Sequence, residues 1–137
     1  MDRTAVADVA IRYCGLIDGG RWPELDQVFV PDAVFHLPDG EYRGLDAIRS
    51  RISRALGPLD NSQHLVSNHQ VTLEEAGADH RCYFQAQHVR SGPTEGSNYI
   101  VAGRYDDRFI RTDQGWRIVD RTLTVMWTEG NERVLRP

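Results

Sequence analysis

Hydrophobic residues in the first part of the chain recur at steps of three and four, which is the spacing of amphipathic helices. The first such stripe ends at Gly19 and Gly20, and the third ends at Gly57, which is followed by Pro58. Glycine and proline in these places are typical helix stops. The predicted helices cover residues 4–18, 21–30 and 45–56.

From residue 62 onward the hydrophobic period changes to two, the spacing of strands whose side chains alternate between two faces. The predicted strands cover residues 62–74, 80–90, 97–112 and 115–128, after a shorter pair at 33–37 and 41–43. Helices followed by long strands with short turns predict an α+β fold, in which helices cover one face of a curved, mostly antiparallel sheet. Such a sheet, closed by helices, encloses a cone-shaped cavity suited to a small molecule.

The composition excludes several classes of protein. A chain of 137 residues predicts a single domain, 1–137, which buries a core without a disulfide framework. The net charge is −4 with no basic patch, so nucleic acid is not an expected partner. All 16 basic residues are arginine, which excludes Schiff-base chemistry that needs a lysine amine. Cys14 and Cys82 are expected to be small buried apolar side chains.

No apolar run approaches the ~18–20 residues of a membrane helix, and the first residues lack the pattern of a signal peptide. We therefore expect a soluble, cytoplasmic protein without a membrane partner. The mean hydropathy of −0.50 agrees with that expectation.

The histidines do not predict a metal site. On a regular strand His64 and His69, five residues apart, point to opposite faces and cannot hold one ion together without a bulge. His80 and His88 share a strand face, but eight residues of strand separate them by about 26 Å. No glycine-rich loop follows a strand to hold a nucleotide. We therefore expect neither a metal nor another cofactor.

Acid–base chemistry by a histidine and a carboxylate remains as the candidate activity. Asp18 closes the first predicted helix, where it is either a solvated helix-end carboxylate or a functional group. His64 lies on a strand face that also carries polar residues, so this face borders either solvent or a polar pocket. Asp107 and Asp120, on the late strands, are alternative acid–base groups.

The order and spacing of several segments resemble the SnoaL-like branch of the nuclear transport factor 2-like superfamily. These segments are residues 12–33 with Asp18-Gly19-Gly20-Arg21-Trp22, then Gly44-Leu45-Asp46-Ala47-Ile48, Gln63-His64-Leu65-Val66-Ser67-Asn68, residues 103–118, and Trp127-Thr128-Glu129-Gly130-Asn131. The resemblance implies a cone-shaped α+β barrel, with three N-terminal helices packed on a curved, mostly antiparallel sheet.

The resemblance also implies a site. Scytalone dehydratase, bile acid 7-alpha-dehydratase and hexachlorocyclohexane dehydrochlorinase pair an aspartate just after the first helix with a histidine on the third strand. Asp18 and His64 occupy those places, and Tyr13 matches a tyrosine of the bile-acid enzyme. The predicted catalytic residues are thus His64, Asp18 and Tyr13. The predicted substrate-binding residues are Phe35, Trp22, Asn68, Tyr105, Arg111 and Trp127.

The resulting prediction is a cofactor-independent lyase or isomerase with dehydratase-type acid–base chemistry. Its substrate would be a small, largely apolar cyclic molecule, such as a steroid, a terpenoid or a polyketide-like ring. The alternatives are a non-catalytic module for small-molecule binding or assembly, and a cyclase or epoxide hydrolase that uses another carboxylate. A homo-oligomer is expected, most simply a dimer through the sheet, with a trimer as the other possibility.

Overall fold

The computed structural model describes residues 2–136; Met1 and Pro137, the two ends of the predicted domain, lie outside the described residues. The α-helices are α1 (Asp2–Asp18) and α2 (Leu45–Leu56), and short 3-10 helices cover Trp22–Gln27 and Glu132–Leu135. The strands are β1 (Phe29–Leu37), β2 (Gly40–Arg43), β3 (Asn61–Leu73), β4 (Gly77–Val89), β5 (Asn98–Thr112) and β6 (Gly115–Gly130). The four long strands match the predicted ranges to within three residues at each end.

All six strands belong to one sheet in the order β2-β1-β6-β5-β4-β3. Every neighbouring pair is antiparallel except β1 and β6, which are parallel, so the sheet is mixed. The prediction of a curved, mostly antiparallel sheet is confirmed. The prediction of a barrel is wrong, because β2 and β3 remain as the two edges and the sheet does not close.

The second predicted helix, 21–30, is only partly present. The 3-10 helix Trp22–Gln27 carries Pro23 in its first turn, and the backbone then enters β1 at Phe29. The carbonyl oxygen of Val28 accepts a hydrogen bond from the backbone N–H of Ile118 at 2.8 Å, which ties this segment to β6. A run of Val, Phe and Val favours the strand over a longer helix, since β-branched and aromatic residues fit a pleated surface.

Helix α1 covers the concave face of the sheet and contacts β3. Its buried stripe includes Val6, Val9 and Ile17, which are at most 4% exposed. Tyr13 joins an aromatic cluster with Phe29, Phe35 and Tyr105, whose ring centroids lie 5.9–6.4 Å from the centroid of Tyr13. Fully burying each such side chain stabilises the fold by roughly 1.5–3 kcal/mol. No helix among residues 2–136 is long and apolar enough to cross a membrane.

A bulge interrupts β3 and reverses the alternation of its side chains. The register passes from Ser67 opposite Tyr83 to Gln70 opposite Arg81, so two residues of β3 face the single residue Cys82 on β4. One of those two residues, Asn68, adopts a φ of 57°, a conformation that asparagine tolerates better than most residues.

The bulge corrects a prediction about the histidines. His64 lies on the inward face of β3 before the bulge, and His69 lies on the same inward face after it. The prediction that the two residues point to opposite faces is wrong, because it assumed an uninterrupted period of two.

A charged network is enclosed between the sheet and α1. Arg121 is fully buried and donates two hydrogen bonds to Asp107, at 2.7 and 2.9 Å. Asp107 Oδ2 also accepts from His80 Nδ1 at 2.7 Å, and His80 Nε2 lies 2.9 Å from His69 Nδ1. Burial is the largest single influence and raises the pKa of Asp107, but the charge of Arg121 and the hydrogen bonds from Arg121 and His80 together hold this pKa below its usual value.

We predict that Asp107→Asn lowers the free energy of unfolding by about 3–5 kcal/mol, because it leaves the Arg121 guanidinium as an unpaired buried charge. Urea unfolding of both proteins measures the difference. Asp106→Asn is the matched control, since Asp106 pairs with Arg81 and Arg104 near the surface, and a loss below about 1 kcal/mol is expected there. Equal losses in the two variants would contradict the role given to the buried pair.

Candidate active site

A cavity of about 750 Å³ opens between α2 and the concave face of the sheet. Most of its wall is apolar, as shown by Ile17, Phe35, Ile52, Phe84 and Leu123. Its volume lies within the range of roughly 300–1,000 Å³ that is usual for small-molecule sites. The polar groups at its wall include His64 and His88, and charged side chains such as Arg51 and Arg54 also line it.

His64 and Asp18 form a close pair at this cavity. His64 Nδ1 lies 2.7 Å from Asp18 Oδ1, and the backbone N–H of His64 donates to Asp18 Oδ2 at 2.8 Å. The hydroxyl of Ser62 donates to Asp18 Oδ1 at 3.0 Å. The side chain of His64 is 7% exposed and that of Asp18 is 23% exposed, so the pair is largely removed from water.

The end of α1 explains how Asp18 reaches β3. The N–H of Arg21 bonds to the carbonyl of Leu16, and the N–H of Gly20 bonds to the carbonyl of Ile17. With Gly20 at a φ of 68°, these bonds form a Schellman motif, which satisfies the last carbonyls of the helix. The Asp18 side chain takes no part in this cap and is available to β3. Its negative charge at a helix C-terminus is unfavourable, and the three hydrogen bonds from Ser62 and His64 offset that cost.

The partner of Nδ1 determines the tautomer of His64. An ionised carboxylate only accepts hydrogen bonds, so the proton of a neutral His64 sits on Nδ1 and Nε2 carries the lone pair. Within residues 2–136, Nε2 of His64 makes no hydrogen bond. The hydrogen bond between Nδ1 and Asp18 therefore holds the His64 ring in one orientation, with the basic Nε2 unpaired beside the apolar cavity.

Sequence reasoning missed His88, which also lines the cavity. His88 is 4% exposed and its Nδ1 donates to the carbonyl of Tyr99 at 3.0 Å, which leaves Nε2 as an acceptor. Its ring stands edge-on to that of His64, with centroids 5.8 Å apart. Burial lowers the pKa of His88 to about 4, so it is neutral at physiological pH. The sequence placed His88 on the same face as His80, but it did not reveal which residue lies across from it on β3.

Three further predicted residues reach the cavity: Tyr13, Phe35 and Tyr105. Burial raises the pKa of Tyr13 well above its usual value, so its hydroxyl stays protonated and can donate a hydrogen bond. The guanidinium carbon of Arg121 lies 3.8 Å from the ring centroid of Tyr105 and 4.7 Å from that of Tyr13.

Four predicted substrate-binding residues are placed elsewhere by the structure. Trp22 packs on the core beside α2, in a shallow depression with Arg49. Asn68 is exposed at the bulge. Arg111 pairs with Asp2 and covers Trp116 at the surface, while Trp127 is 45% exposed.

The two alternative carboxylates also lie outside the cavity wall. Asp107 is fully engaged by Arg121 and His80 beneath the aromatic cluster. Asp120 lies 3.0 Å from His36 Nε2 and is about half exposed. Neither carboxylate is among the residues that line the cavity.

Comparison with known proteins identifies the class. Residues 1–122 match the family model of the SnoaL-like domain, and the chain therefore belongs to the SnoaL-like family. An uncharacterized protein of Mycobacterium tuberculosis (strain ATCC 25618 / H37Rv) is 31% identical over 131 residues, which cover 90% of this chain and 84% of that protein.

Solved structures of low sequence identity share the fold. A candidate scytalone dehydratase of Novosphingobium aromaticivorans has a TM-score of 0.84 at 22% identity, covering 94% of this chain and 87% of that one. A nuclear transport factor 2-like superfamily protein of Salmonella enterica has a TM-score of 0.82 at 19% identity, with 95% and 94% covered. A hexachlorocyclohexane dehydrochlorinase has a TM-score of 0.81 at 16% identity, with 94% and 88% covered. The chain thus has the nuclear transport factor 2-like α+β fold.

The depressed pKa of His88 makes stability depend on pH. Since the folded pKa of about 4 lies below the ordinary histidine value of 6.5, the unfolded chain binds a proton between these pH values that the folded chain does not bind. Stability should therefore fall as the pH is lowered from 6.5 to 4, by on the order of 2–3 kcal/mol from this residue.

His88→Gln keeps a neutral donor for the Tyr99 carbonyl and should flatten this part of the profile. Chemical unfolding at a series of pH values measures both slopes. An unchanged slope in the variant would contradict the assignment of the effect to His88.

Proposed function

We propose that this protein is a cofactor-independent lyase or isomerase of the dehydratase type. The observation that carries the proposal is the pairing of His64 with Asp18 at 2.7 Å beside a largely apolar cavity. Two proteins with the same fold, a candidate scytalone dehydratase and a hexachlorocyclohexane dehydrochlorinase, have names that describe eliminations, and this supports the same class of reaction. The SnoaL-like family and its fold are compatible with such an enzyme.

In the proposed reaction His64 Nε2 removes a proton from a carbon atom of the substrate. The imidazolium that forms keeps its Nδ1–H bond to Asp18, and the carboxylate stabilises the new positive charge. In an elimination the hydroxyl of Tyr13 donates a hydrogen bond to the departing hydroxyl group, which takes the proton from the imidazolium and leaves as water, so that His64 is neutral again. In an isomerisation Tyr13 donates to a carbonyl oxygen, and the imidazolium returns the proton to another carbon atom of the substrate. General-base catalysis of this kind supplies about 10²–10⁴-fold, and positioning in the cavity supplies a further part of the rate.

The proposed substrate is a small cyclic molecule that is mostly apolar, such as a steroid, a terpenoid or a polyketide-like ring. Aromatic and aliphatic walls favour a hydrocarbon skeleton, because each apolar area removed from water contributes about 25 cal/mol per Å². The wall also carries the polar groups of His64, His88 and Tyr13, and charged side chains such as Arg51 and Arg54 on α2. A substrate with one or two oxygen functions near the proton to be removed fits this distribution.

We predict that His64→Ala and Asp18→Asn each lower kcat by at least about 10²-fold, with little change in ligand affinity, because base and orienting group act mainly in the transition state. The double variant should lose scarcely more than His64→Ala alone, since the two residues act as one unit. Mass spectrometry of cyclic hydroxy-ketones and lactones, scored for loss or migration of water, identifies the substrate for these measurements.

His36→Ala is the matched control, because His36 is a partly exposed histidine on β1 outside the cavity and should leave kcat nearly unchanged. If His64→Ala and His36→Ala behave alike, the pair is not the catalytic base. If no compound is turned over while ligands still bind, the protein is a binding module and the enzyme proposal fails.

We also propose that the protein forms a homo-oligomer, most simply a dimer through the outer face of the sheet. Leu65, Tyr83 and Trp127 are 57%, 47% and 45% exposed on β3, β4 and β6. A stable interface buries about 800 Å² per partner, and large exposed apolar side chains supply its centre.

Light scattering at micromolar concentration should give at least twice the monomer mass of 15.6 kDa. Tyr83→Glu combined with Trp127→Glu should shift this mass toward the monomer, because two charges would be buried at the interface. A monomeric wild type would contradict the proposal.

A further inference from the structure

Three metal-binding side chains meet beneath α1: His69, His80 and Cys82, here called the His-His-Cys cluster. His69 Nδ1 lies 2.9 Å from His80 Nε2, and all three donor atoms lie within 4.8 Å of one another. It is the one such group in the part of the chain from Asp2 to Arg136.

The bulge in β3 creates this cluster. His80 and Cys82 are two residues apart on β4 and share its inward face, where both are buried. The extra residue of the bulge turns His69 inward, directly across from Cys82. Without the bulge Asn68 would take the inward position and the second imidazole would be lost to the cluster.

We propose that the His-His-Cys cluster binds a transition-metal ion of the zinc class, with a fourth position open to water beside the half-buried His69. Nitrogen and sulfur are the donors that such ions prefer, and three protein ligands with one open position is a common arrangement. Zinc bond lengths of about 2.0–2.3 Å place tetrahedral donor atoms roughly 3.3–3.6 Å apart. The donors therefore need to move by only about an ångström to enclose an ion.

The groups around the cluster suit a bound ion. Asp107 Oδ2 accepts from His80 Nδ1 at 2.7 Å, which fixes the tautomer that presents the Nε2 lone pair to the cluster. In zinc sites a carboxylate commonly accepts a hydrogen bond from the second ring nitrogen of a ligating histidine and so fixes the orientation of its ring. Asp107 is held in turn by the buried Arg121, so His80 has little freedom to rotate.

Binding of the ion changes the positions of two protons. Before the ion binds, one proton lies between His69 Nδ1 and His80 Nε2. Binding moves this proton to His69 Nε2 by a change of tautomer, and the thiol proton of Cys82 passes to water. The ion then has two neutral imidazoles and one thiolate as ligands, and no oxidant or reductant is involved.

This site is independent of the proposed acid–base pair. His69 follows His64 by five residues along β3, which corresponds to roughly 15 Å. Cys82, His69 and His80 do not line the main cavity. Reasoning along single strands missed the cluster, because its donors come from two strands and their register depends on the bulge.

The test is a titration of the metal-free, tag-free full chain with Co²⁺ and, separately, with Zn²⁺. The wild type should bind one equivalent of Co²⁺ with the charge-transfer absorption of a thiolate–cobalt bond, and Zn²⁺ should raise its melting temperature. Cys82→Ser should abolish the charge-transfer absorption. His69→Gln should weaken Zn²⁺ binding by at least about 10-fold, which calorimetry measures.

Cys14→Ser is the matched control, since Cys14 is also buried but instead donates its thiol to the carbonyl of Ala10 and lies outside the cluster. It should keep the absorption and the affinity of the wild type. His69 is partly exposed, so His69→Gln should fold as the wild type does, which circular dichroism checks. If Cys82→Ser does not fold, the Zn²⁺ affinity of His69→Gln tests the proposal alone. The proposal is overturned if the wild type takes up no stoichiometric Co²⁺, if the absorption persists in Cys82→Ser, or if Zn²⁺ affinity is unchanged in His69→Gln.

Discussion

The guanidinium of Arg121 is the central constraint on the interior of this protein. A fully buried arginine is costly unless its charge is compensated, and here Asp107 accepts two of its hydrogen bonds. The guanidinium carbon also lies close to the ring centroids of Tyr105 and Tyr13, at 3.8 and 4.7 Å, and both rings line the cavity. On the far side Asp107 fixes His80. One side chain on β6 therefore supports the aromatic wall of the cavity and, through Asp107, the orientation of His80.

Asp18, at the C-terminal end of α1, is a second charged group whose cost is compensated by specific hydrogen bonds. A carboxylate at a helix C-terminus works against the helix dipole, so structural stability alone does not favour aspartate at position 18. The fold compensates with three hydrogen bonds to Asp18, from the Ser62 hydroxyl and from the backbone and ring of His64. Groups that are unfavourable locally and held by specific partners are frequent at functional sites. The proposed catalytic role of Asp18 follows from this arrangement rather than from proximity alone.

Much of the fold followed from periodicity. The steps of three and four gave the end of α1 and both ends of α2, and the period of two located the long strands, because each of these elements buries one regular face. The aspartate at the end of α1 and the histidine on β3 could be paired only through the resemblance to a family. No local pattern states that residues 18 and 64 are adjacent, since that contact depends on how α1 crosses the sheet.

The features that the sequence did not predict correctly depend mostly on which strands pair and in which register. Whether the sheet closes depends on the partners of β2 and β3, and both remain edges. The neighbour of His88 depends on the register of β3 and β4. Tryptophan and arginine are common in pockets, and residue type alone therefore suggested Trp127, Arg111 and Trp22. Their positions on their own elements place Trp127 and Arg111 at the surface and Trp22 in a separate depression.

The bulge at Asn68 shows how one residue divides a strand between two kinds of chemistry. Before the bulge, the inward positions of β3 carry Ser62 and His64 to the carboxylate of Asp18. After it, the inward position carries His69 to His80, which belongs to the Arg121 network. A regular strand would direct one histidine to the cavity and the other to water. Because the register shifts by one residue, both imidazoles face the interior, and each meets a different buried partner.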